Sequence, residues 1–473
     1  MAPASLDTPT RRGDDTGAAD SSPMQPPPDD ELNRRDFLRL GGAAVAAGAA
    51  GLGGETRAQP AAPSGLLAAP AIDRVRIGFV GIGLQGGGHV ENLLKIPGCR
   101  IDAVCDIRPE RTGWATKAIT AAGHPAPTAY TRGPRDFERL CETEDLDLVF
   151  TATPWEWHVP VMLAAMKNGK HAATEVPAAM TLDDCWALVE SAETYRRHAV
   201  MMENCNYDRA EMMVFNIVHQ GALGEVLHAE GGYLHDLREI KFEKRDEGLW
   251  RRAWSMKLNG NPYPTHGLGP VANCLNINRG DRFDYLVSMS GPSRGLQDWA
   301  REHFAEDAPE RREQYVLGDV NTSLIKTALG KTVMVQHCTN LPRPYSRINL
   351  VQGTKGIFQG YPNRLYLEGR GTPHQWVDAA AMREEFEHPL WRDLEARAAG
   401  AGHGGMDFIE DFRLIACLRE GVPTDMNVYD AAALSAVVEL SVQSNAKRAG
   451  SVEFPDFTRG RWRSNPRLGI VGV

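Results

Sequence analysis

Val75-Arg76-Ile77-Gly78-Phe79-Val80 runs directly into Gly81-Ile82-Gly83-Leu84-Gln85-Gly86, and this junction constrains the fold more than any other stretch of the chain. The first six residues are mostly apolar and β-branched, as in a short strand buried on both faces. The next six place glycine at the first, third and sixth positions, and a helix-compatible stretch follows to about Lys95. Each glycine has a physical task. Gly81 permits the tight turn, Gly83 lets backbone N–H groups approach a pyrophosphate, and Gly86 lets helix and strand pack closely. A second strand at residues 100–105 ends in Asp106, twenty residues after Gly86. An acid at that distance accepts hydrogen bonds from the adenosine ribose and repels a 2′-phosphate. The spacing therefore favours NAD over NADP, with Arg108 the nearby charge that weighs the other way.

Two further strands extend the pattern. Residues 146–153 read as a buried parallel strand that ends at Pro154-Trp155-Glu156-Trp157-His158, where a helix can begin. Residues 171–174 form another, ending at Glu175-Val176-Pro177. Ligands of open α/β sheets gather beyond the carboxyl ends of strands, so both segments are expected over the nicotinamide half of a bound dinucleotide.

Composition bounds the rest. The 473 residues are 42% hydrophobic and 24% charged, with a net charge of -9, which fits a globular chain of two or three domains and excludes a disordered one. The acidic balance argues against nucleic acid as the partner. The eight cysteines contain no C-x-x-C pair, so neither a zinc site nor a disulfide scaffold is expected, only buried thiols, and no metal is assigned.

The first 58 residues stand apart. A Pro-, Asp- and Ser-rich stretch precedes Arg34-Arg35-Asp36-Phe37-Leu38, an Ala/Gly run from 41 to 54, and Thr56-Arg57-Ala58. Paired arginines, a weakly apolar run and a small-x-small end resemble a bacterial twin-arginine export signal, implying a periplasmic or secreted protein. The run is too short and too glycine-rich for a stable membrane span. The segment carries six Lys/Arg and nine Asp/Glu, which leaves -6 on the remaining 415 residues. The expected organisation is a leader at 1–58, a linker at 59–73, a dinucleotide domain at 74–205 and a substrate domain at 206–473.

Beyond residue 205 the pattern shifts to longer strands and hairpins, at 225–233, 321–328 with 332–337, 346–352 and 363–368, with helices at 407–419 and 431–446. The fold class expected is α/β: a Rossmann domain, then an α+β domain whose largely antiparallel sheet has helices on one face and lays its open face beside the cofactor. Tyr263-Pro264-Thr265-His266-Gly267-Leu268-Gly269-Pro270 reads as a stiff, irregular segment presenting a phenol and an imidazole. Pro342-Arg343-Pro344-Tyr345-Ser346-Arg347 offers another phenol between arginines. Histidine titrates near neutral pH, which suits proton transfer at a sugar hydroxyl.

The dinucleotide half with E-x-P after its fifth strand resembles the Gfo/Idh/MocA oxidoreductases. Most of their dehydrogenases carry Glu-Lys-Pro there, whereas Val176 in this chain can neither take nor give a proton. Together, W-E-W-H, E-V-P-A-A-M-T, Y-P-T-H-G-L-G-P, C-L-N-I-N-R-G-D-R-F-D-Y-L-V-S-M-S, P-R-P-Y-S-R and G-G-M-D-F-I resemble glycoside hydrolase family 109, the NAD-dependent α-N-acetylgalactosaminidases. The blocks run from about Arg74 to about Trp462.

That resemblance implies NAD contacts at Leu84, Gln85, Asp106, Trp155, Glu156, Trp157, His158, Glu175, Val176 and Asn204. It implies substrate contacts at Tyr233, Arg252, Tyr263, Pro264, Thr265, His266 and Tyr345, with His266 and Tyr263 expected as the catalytic pair. Gln85 stands where relatives often have arginine, which removes a charge from the phosphate loop. The implied route is an oxidation, elimination, hydration and reduction cycle on a carbohydrate substrate that leaves NAD unchanged. The rival reading is a periplasmic sugar oxidoreductase with tightly held NAD(P); a third is an NAD-holding sugar sensor. The twin-arginine export machinery is the one protein partner implied, and a homo-oligomer is left open.

Overall fold

The computed structural model describes residues 67–473 except position 246. The expected leader and positions 59–66 lie outside the described residues.

β1 (Val75–Val80), β2 (Cys99–Cys105), β3 (Thr128–Tyr130), β4 (Leu148–Thr151), β5 (His171–Thr174) and β6 (Ala199–Met201) form one sheet in the order β3-β2-β1-β4-β5-β6. Every pairing is parallel. Helices α1 (Leu84–Leu93), α2 (Pro109–Ala121), α3 (Asp136–Thr143), α4 (Trp155–Lys167) and α5 (Leu182–Tyr195) make the crossovers. Buried strands of Val, Ile, Phe and Ala need cover on both faces, and crossover helices supply it. The strand order reverses between β1 and β4, which opens a crevice at their carboxyl ends. The glycine loop follows β1 and Trp155 follows β4, so both open onto that crevice.

The second half contributes α6 (Arg209–His219), β7 (Val226–Leu234), α7 (Arg238–Phe242), α8 (Glu247–Lys257), α9 (Thr265–Leu275), β8 (Phe283–Ser290) and α10 (Gly295–His303). Strands β9 (Asn321–Thr327), β10 (Thr332–Cys338), β11 (Leu350–Gly353), β12 (Gly356–Gln359), β13 (Arg364–Leu367) and β14 (Val377–Asp378) follow. Helices α11 (Arg383–Phe386), α12 (Pro389–Ala398), α13 (Met406–Glu420), α14 (Val428–Ser435) and α15 (Val437–Ala446) precede β15 (Val452–Glu453). The sheet order is β14-β13-β12-β11-β7-β10-β9-β8-β15, antiparallel throughout except for the β7–β10 pair.

Four local expectations are corrected. The strand expected at 346–352 begins only at Leu350, because Ile348 and Asn349 take left-handed backbone angles, φ 65° and 49°. The helix expected at 431–446 divides at Ala436. The segment 263–270, expected to be irregular, is helical from Thr265 onward, as the start of α9. Its glycines serve close packing: a Cβ on Gly267 would lie 2.0 Å from the backbone nitrogen of Gly232 on β7. Lastly, Tyr233 and its β10 partner His337 are buried on the face that α9 covers, while Leu324 and Met289 of the open face are exposed to solvent. The helix-covered face therefore meets the cofactor side.

Both halves share one apolar core, from Val75 and Phe150 through Met201 and Leu268 to Phe358 and Phe457. Each fully buried side chain of this size contributes about 1.5–3 kcal/mol. All eight cysteines are free and buried.

Candidate active site

The glycine loop is shaped as a phosphate cradle. Gly81 has φ +83°, a conformation that suits glycine, and a Cβ there would meet Ala152 backbone at 2.9 Å. A Cβ on Gly86 would meet the Gly81 carbonyl oxygen at 2.1 Å, so a residue with a side chain could not hold α1 against the loop. At Gly83 the nearest neighbour is Arg108 Nη2 at 3.8 Å, which leaves open space above the first turn of α1. Asp106 closes the opposite wall, its carboxylate accepting the Ile82 N–H at 2.7 Å and the Arg108 N–H at 2.8 Å. A carboxylate offers about four acceptor positions, so capacity remains for ribose hydroxyls. The Arg108 guanidinium lies 3.6 Å from the same acid. Leu84 is exposed at the rim. These residues fit a dinucleotide held by backbone N–H groups, a helix start and one acid.

The cofactor half is completed from the other end of the chain. Asp407 on α13 accepts from Gln85 Nε2 at 3.2 Å and from Asn204 Nδ2 at 2.8 Å, and lies 2.8 Å from His403 Nδ1. Burial alone would raise its carboxyl, but the His403 hydrogen bond and charge outweigh that and bring it to about 2. Gln85 thus turns its amide to a carboxylate of the second half.

The strand-end segments separate by role. Trp155 is buried against the second half, 4.7 Å from Trp250 and 5.9 Å from Tyr263 between ring centroids. Glu156 is exposed, and Trp157 turns the other way onto Phe137 of α3, 6.0 Å between centroids. His158 is buried with its ring nitrogens 2.8 Å from the carbonyl oxygens of Thr153 and Pro177, tying two strand-end loops together. Val176 is buried, and Glu175 beside it keeps a side chain 16% exposed.

On the substrate side the structure gathers Tyr233, Tyr263, His266 and Tyr345. Tyr263 is 4.6 Å from Tyr233 and 4.8 Å from His266 between centroids, and Tyr345 is 6.2 Å from Tyr233. His266 Nδ1 lies 2.7 Å from Glu203 Oε1, and its Nε2 lies 3.4 Å from the Tyr263 hydroxyl. Since carboxylates only accept, Glu203 fixes the proton on Nδ1 and leaves Nε2 as the basic nitrogen. Burial would raise Glu203, but the His266 charge and hydrogen bond bring it below its usual range. Burial also pushes the Tyr263 phenol well up, and that of Tyr233 to about 12, so both stay protonated donors. Pro264 and Thr265 are buried where α9 begins.

The arginine expected here, Arg252, is replaced by its neighbour Arg251. Arg252 turns to Glu313, at 3.1 Å, and lies over Phe242, so the structure does not bring it to this cluster. Arg251 does reach it: its guanidinium carbon is 5.2 Å from the Tyr263 ring centre and 5.5 Å from that of Trp155. Burial works against its charge, but Glu247 bonds it at 2.6 Å and keeps it protonated. The Tyr345 hydroxyl accepts from Arg347 at 3.1 Å.

Glu203, Arg251, His89 and Asp411 were not among the expected site residues. Glu203 carried one usable signal, an acid two residues after the last parallel strand and next to Asn204. Arg251 had only an i,i+4 acid, Glu247, as a local mark, and His89 meets Asp411 across 322 positions, where no local spacing reveals it. Cys205, expected as a buried thiol, lies with Glu203 and His266 in a group whose ligand-type atoms fall within 4.8 Å of one another. Burial pushes its thiol well above the ordinary range, so it stays protonated and makes a poor metal ligand.

Comparison with known proteins places this geometry. The profile described as "Oxidoreductase family, NAD-binding Rossmann fold" matches residues 75–203, and "Glycosyl hydrolase 109, C-terminal domain" matches residues 207–464. The chain is 45% identical over 457 residues to a glycosyl hydrolase family 109 protein of Shewanella pealeana, covering 94% of this chain and 100% of the relative. It is 46% identical over 458 residues to another from Shewanella sp. (strain W3-18-1), covering 93% and 99%. Among solved structures, levoglucosan dehydrogenase in complex with NADH and L-sorbose aligns with a TM-score of 0.63 at 18% identity, over 81% of this chain and 100% of that one. Myo-inositol 2-dehydrogenase from Lactobacillus plantarum aligns with a TM-score of 0.58 at 14% identity, over 81% and 100%. The dehydrogenase likeness is one of fold. NAD is the cofactor of the first half, and with both halves matched and close to half of all positions shared with full-length relatives, this chain belongs to glycosyl hydrolase family 109.

Proposed function

We propose that the enzyme removes terminal α-linked N-acetylgalactosamine, or a related hexosamine, through oxidation, elimination, hydration and reduction with no net use of cofactor. The observation that carries this reading is the Glu203–His266–Tyr263 line, set beside Trp155 at the mouth of the NAD crevice. Ordinary glycosidases flank the scissile bond with two carboxylates. The groups gathered here are an imidazole and phenols, which suit proton transfer at hydroxyls. When bound, NAD supplies a reversible redox step at the sugar C3, which makes the C2 hydrogen acidic and permits loss of the C1 substituent. His266 Nε2 takes the proton of the C3 hydroxyl and later gives it back. Tyr263, protonated at working pH, donates a hydrogen bond to the same oxygen. Tyr233, Tyr345 and Arg251 line the sugar pocket.

The test is direct. Purified enzyme without added cofactor is incubated with nitrophenyl α-N-acetylgalactosaminide in heavy water. Release of nitrophenol with deuterium at C2 of the sugar is the expected result; a ketone product with stoichiometric cofactor use would replace the proposal with a sugar oxidoreductase. His266→Ala should lower kcat by about 10²–10⁴-fold while NAD stays bound. Parallel assays on the galactoside lacking the acetamido group and on the N-acetylglucosaminide separate the hexosamine specificity from the bond-breaking chemistry.

Residues 1–58 support export as well. We propose that the protein folds around NAD in the cytoplasm and is then carried by the twin-arginine route to the periplasm or beyond. Replacing Arg34 and Arg35 together by lysine should retain the protein in the cytoplasm, read by cell fractionation.

A further inference from the structure

Behind the cofactor cleft, apart from the Tyr263–His266 cluster, three titratable groups stand in a line. His89 on α1 is completely buried. Its Nδ1 lies 2.8 Å and 3.0 Å from the two carboxylate oxygens of Asp411, and its Nε2 lies 2.8 Å from Glu175 Oε1. Asp411 belongs to α13 of the second half and also accepts from Asn92 Nδ2 at 3.1 Å. Glu175 follows β5, and its Oε2 accepts the Val176 N–H at 3.1 Å.

The proton count of this line is constrained. A neutral imidazole has one N–H and one lone pair, so it can donate to only one of two ionised carboxylates. Acids at both nitrogens require one more proton, on the ring or on an acid. The surroundings favour the ring. Phe79 and Phe150 pack on it, with centroids at 6.5 and 4.7 Å, and α13 also presents Asp407 and Glu410. Burial works against a charged ring, but Asp411 and Glu175 outweigh it and hold the imidazole well above its ordinary value. Glu410 is buried with neither carboxylate oxygen hydrogen-bonded, and burial, outweighing the opposing pull of the His89 charge, pushes its carboxyl well up.

We propose that His89 is a positioning residue, a buried imidazolium that links Asp411 to Glu175 and fixes Glu175 at the cleft floor as one member of a shared-proton line. The proton on Nε2 can pass to Glu175 Oε1, which leaves Nδ1–H bonded to Asp411, and can return; nothing else is consumed. The inference rests on the reading that Glu175 borders the bound cofactor.

Two arms test it. In the first, NAD-loaded enzyme labelled with ¹⁵N-histidine is followed by NMR from pH 6 to 9, with no glycoside present. One ring should keep both nitrogens protonated at the alkaline end, and that signal should vanish in His89→Gln and change in Asp411→Asn. A His89 ring that is neutral at pH 7 overturns the proposal. In the second, Asp411→Asn and His89→Gln should each lower kcat about 10–100-fold, the effect expected from losing a charge-assisted hydrogen bond. KM and copurified NAD should hold, and the pH–rate profile should move the same way in both variants. Variants that lose stability but keep the wild-type profile also overturn it. Should His89→Gln fail to fold, Asp411→Asn and the wild-type spectrum decide. If the wild type hydrolyses no hexosaminide, the spectral arm still stands, so failure of the substrate reading is told apart from failure of this one.

Discussion

Glu203 and His266 lie 63 positions apart in the chain, yet Glu203 Oε1 accepts a hydrogen bond from His266 Nδ1 at 2.7 Å, and the acid is fully buried. The pair decides which ring nitrogen can act as a base. Glu203→Gln keeps the shape but lets the amide donate to Nδ1, which favours the wrong tautomer. We expect kcat to fall about 10²-fold or more with bound NAD unchanged, measured on the nitrophenyl glycoside with absorbance of copurified cofactor as the control. A variant with wild-type kcat would remove Glu203 from the mechanism.

Arg251 and Arg252 should differ sharply. Arg251 is in the Tyr263–Trp155 cluster, whereas Arg252 pairs with Glu313 at the far side of α8. Arg251→Ala should lower kcat/KM by about 10–100-fold, and Arg252→Ala should mainly lower Tm. Steady-state kinetics on the two variants checks this, and the reverse order would contradict the placement.

Gly267→Ala is a test of helix–strand contact. Alanine improves the intrinsic helix preference by about 1 kcal/mol over glycine. The added Cβ, however, would fall 2.0 Å from Gly232 nitrogen and 2.6 Å from its Cα, and backbone cannot swing aside. Overpacking of this kind costs about 1–3 kcal/mol or more, so the clash should win and Tm should drop. A rise in Tm in thermal melts would show that α9 can move away from β7.

Asp407 supplies a pH dependence with a defined sign. Its folded value of about 2 lies below the 3.8 of an unperturbed aspartate, so the contact stabilises above the unfolded value and is lost as pH falls through the folded one. The shift corresponds to about 2 kcal/mol. Asp407→Asn should therefore be less stable than wild type at pH 6, and the gap should close between about pH 4 and pH 2. Denaturant titrations of both proteins across that range measure it.

Local spacing made the first half readable. Gly81, Gly83, Gly86 and Asp106 occupy positions fixed by one turn and one strand, and a short window contains all of the information. The contacts that complete the site are not local. His89 meets Asp411 across 322 positions and Glu175 across 86, and no periodicity marks such pairs. Arg251 and Arg252 illustrate a second loss: consecutive helical residues point about 100° apart, and only packing decides which one faces the tyrosines. The Tyr263 to Pro270 segment shows a third. Its glycines look like breakers, but the missing side chain of Gly267 lets α9 touch β7 and that of Gly269 makes room for Glu203 and Asn206, and propensity cannot distinguish these uses.

The late position of α13 carries a consequence for biosynthesis. The strands and glycine loop of the dinucleotide half are translated by residue 203, but the carboxylates that meet Gln85, Asn204 and His89 lie at Asp407 and Asp411. A nascent chain halted before those residues carries the sequence of the whole parallel sheet but none of the α13 carboxylates. The contacts that fix Gln85, Asn204 and His89 therefore form only after nearly the entire polypeptide has been made.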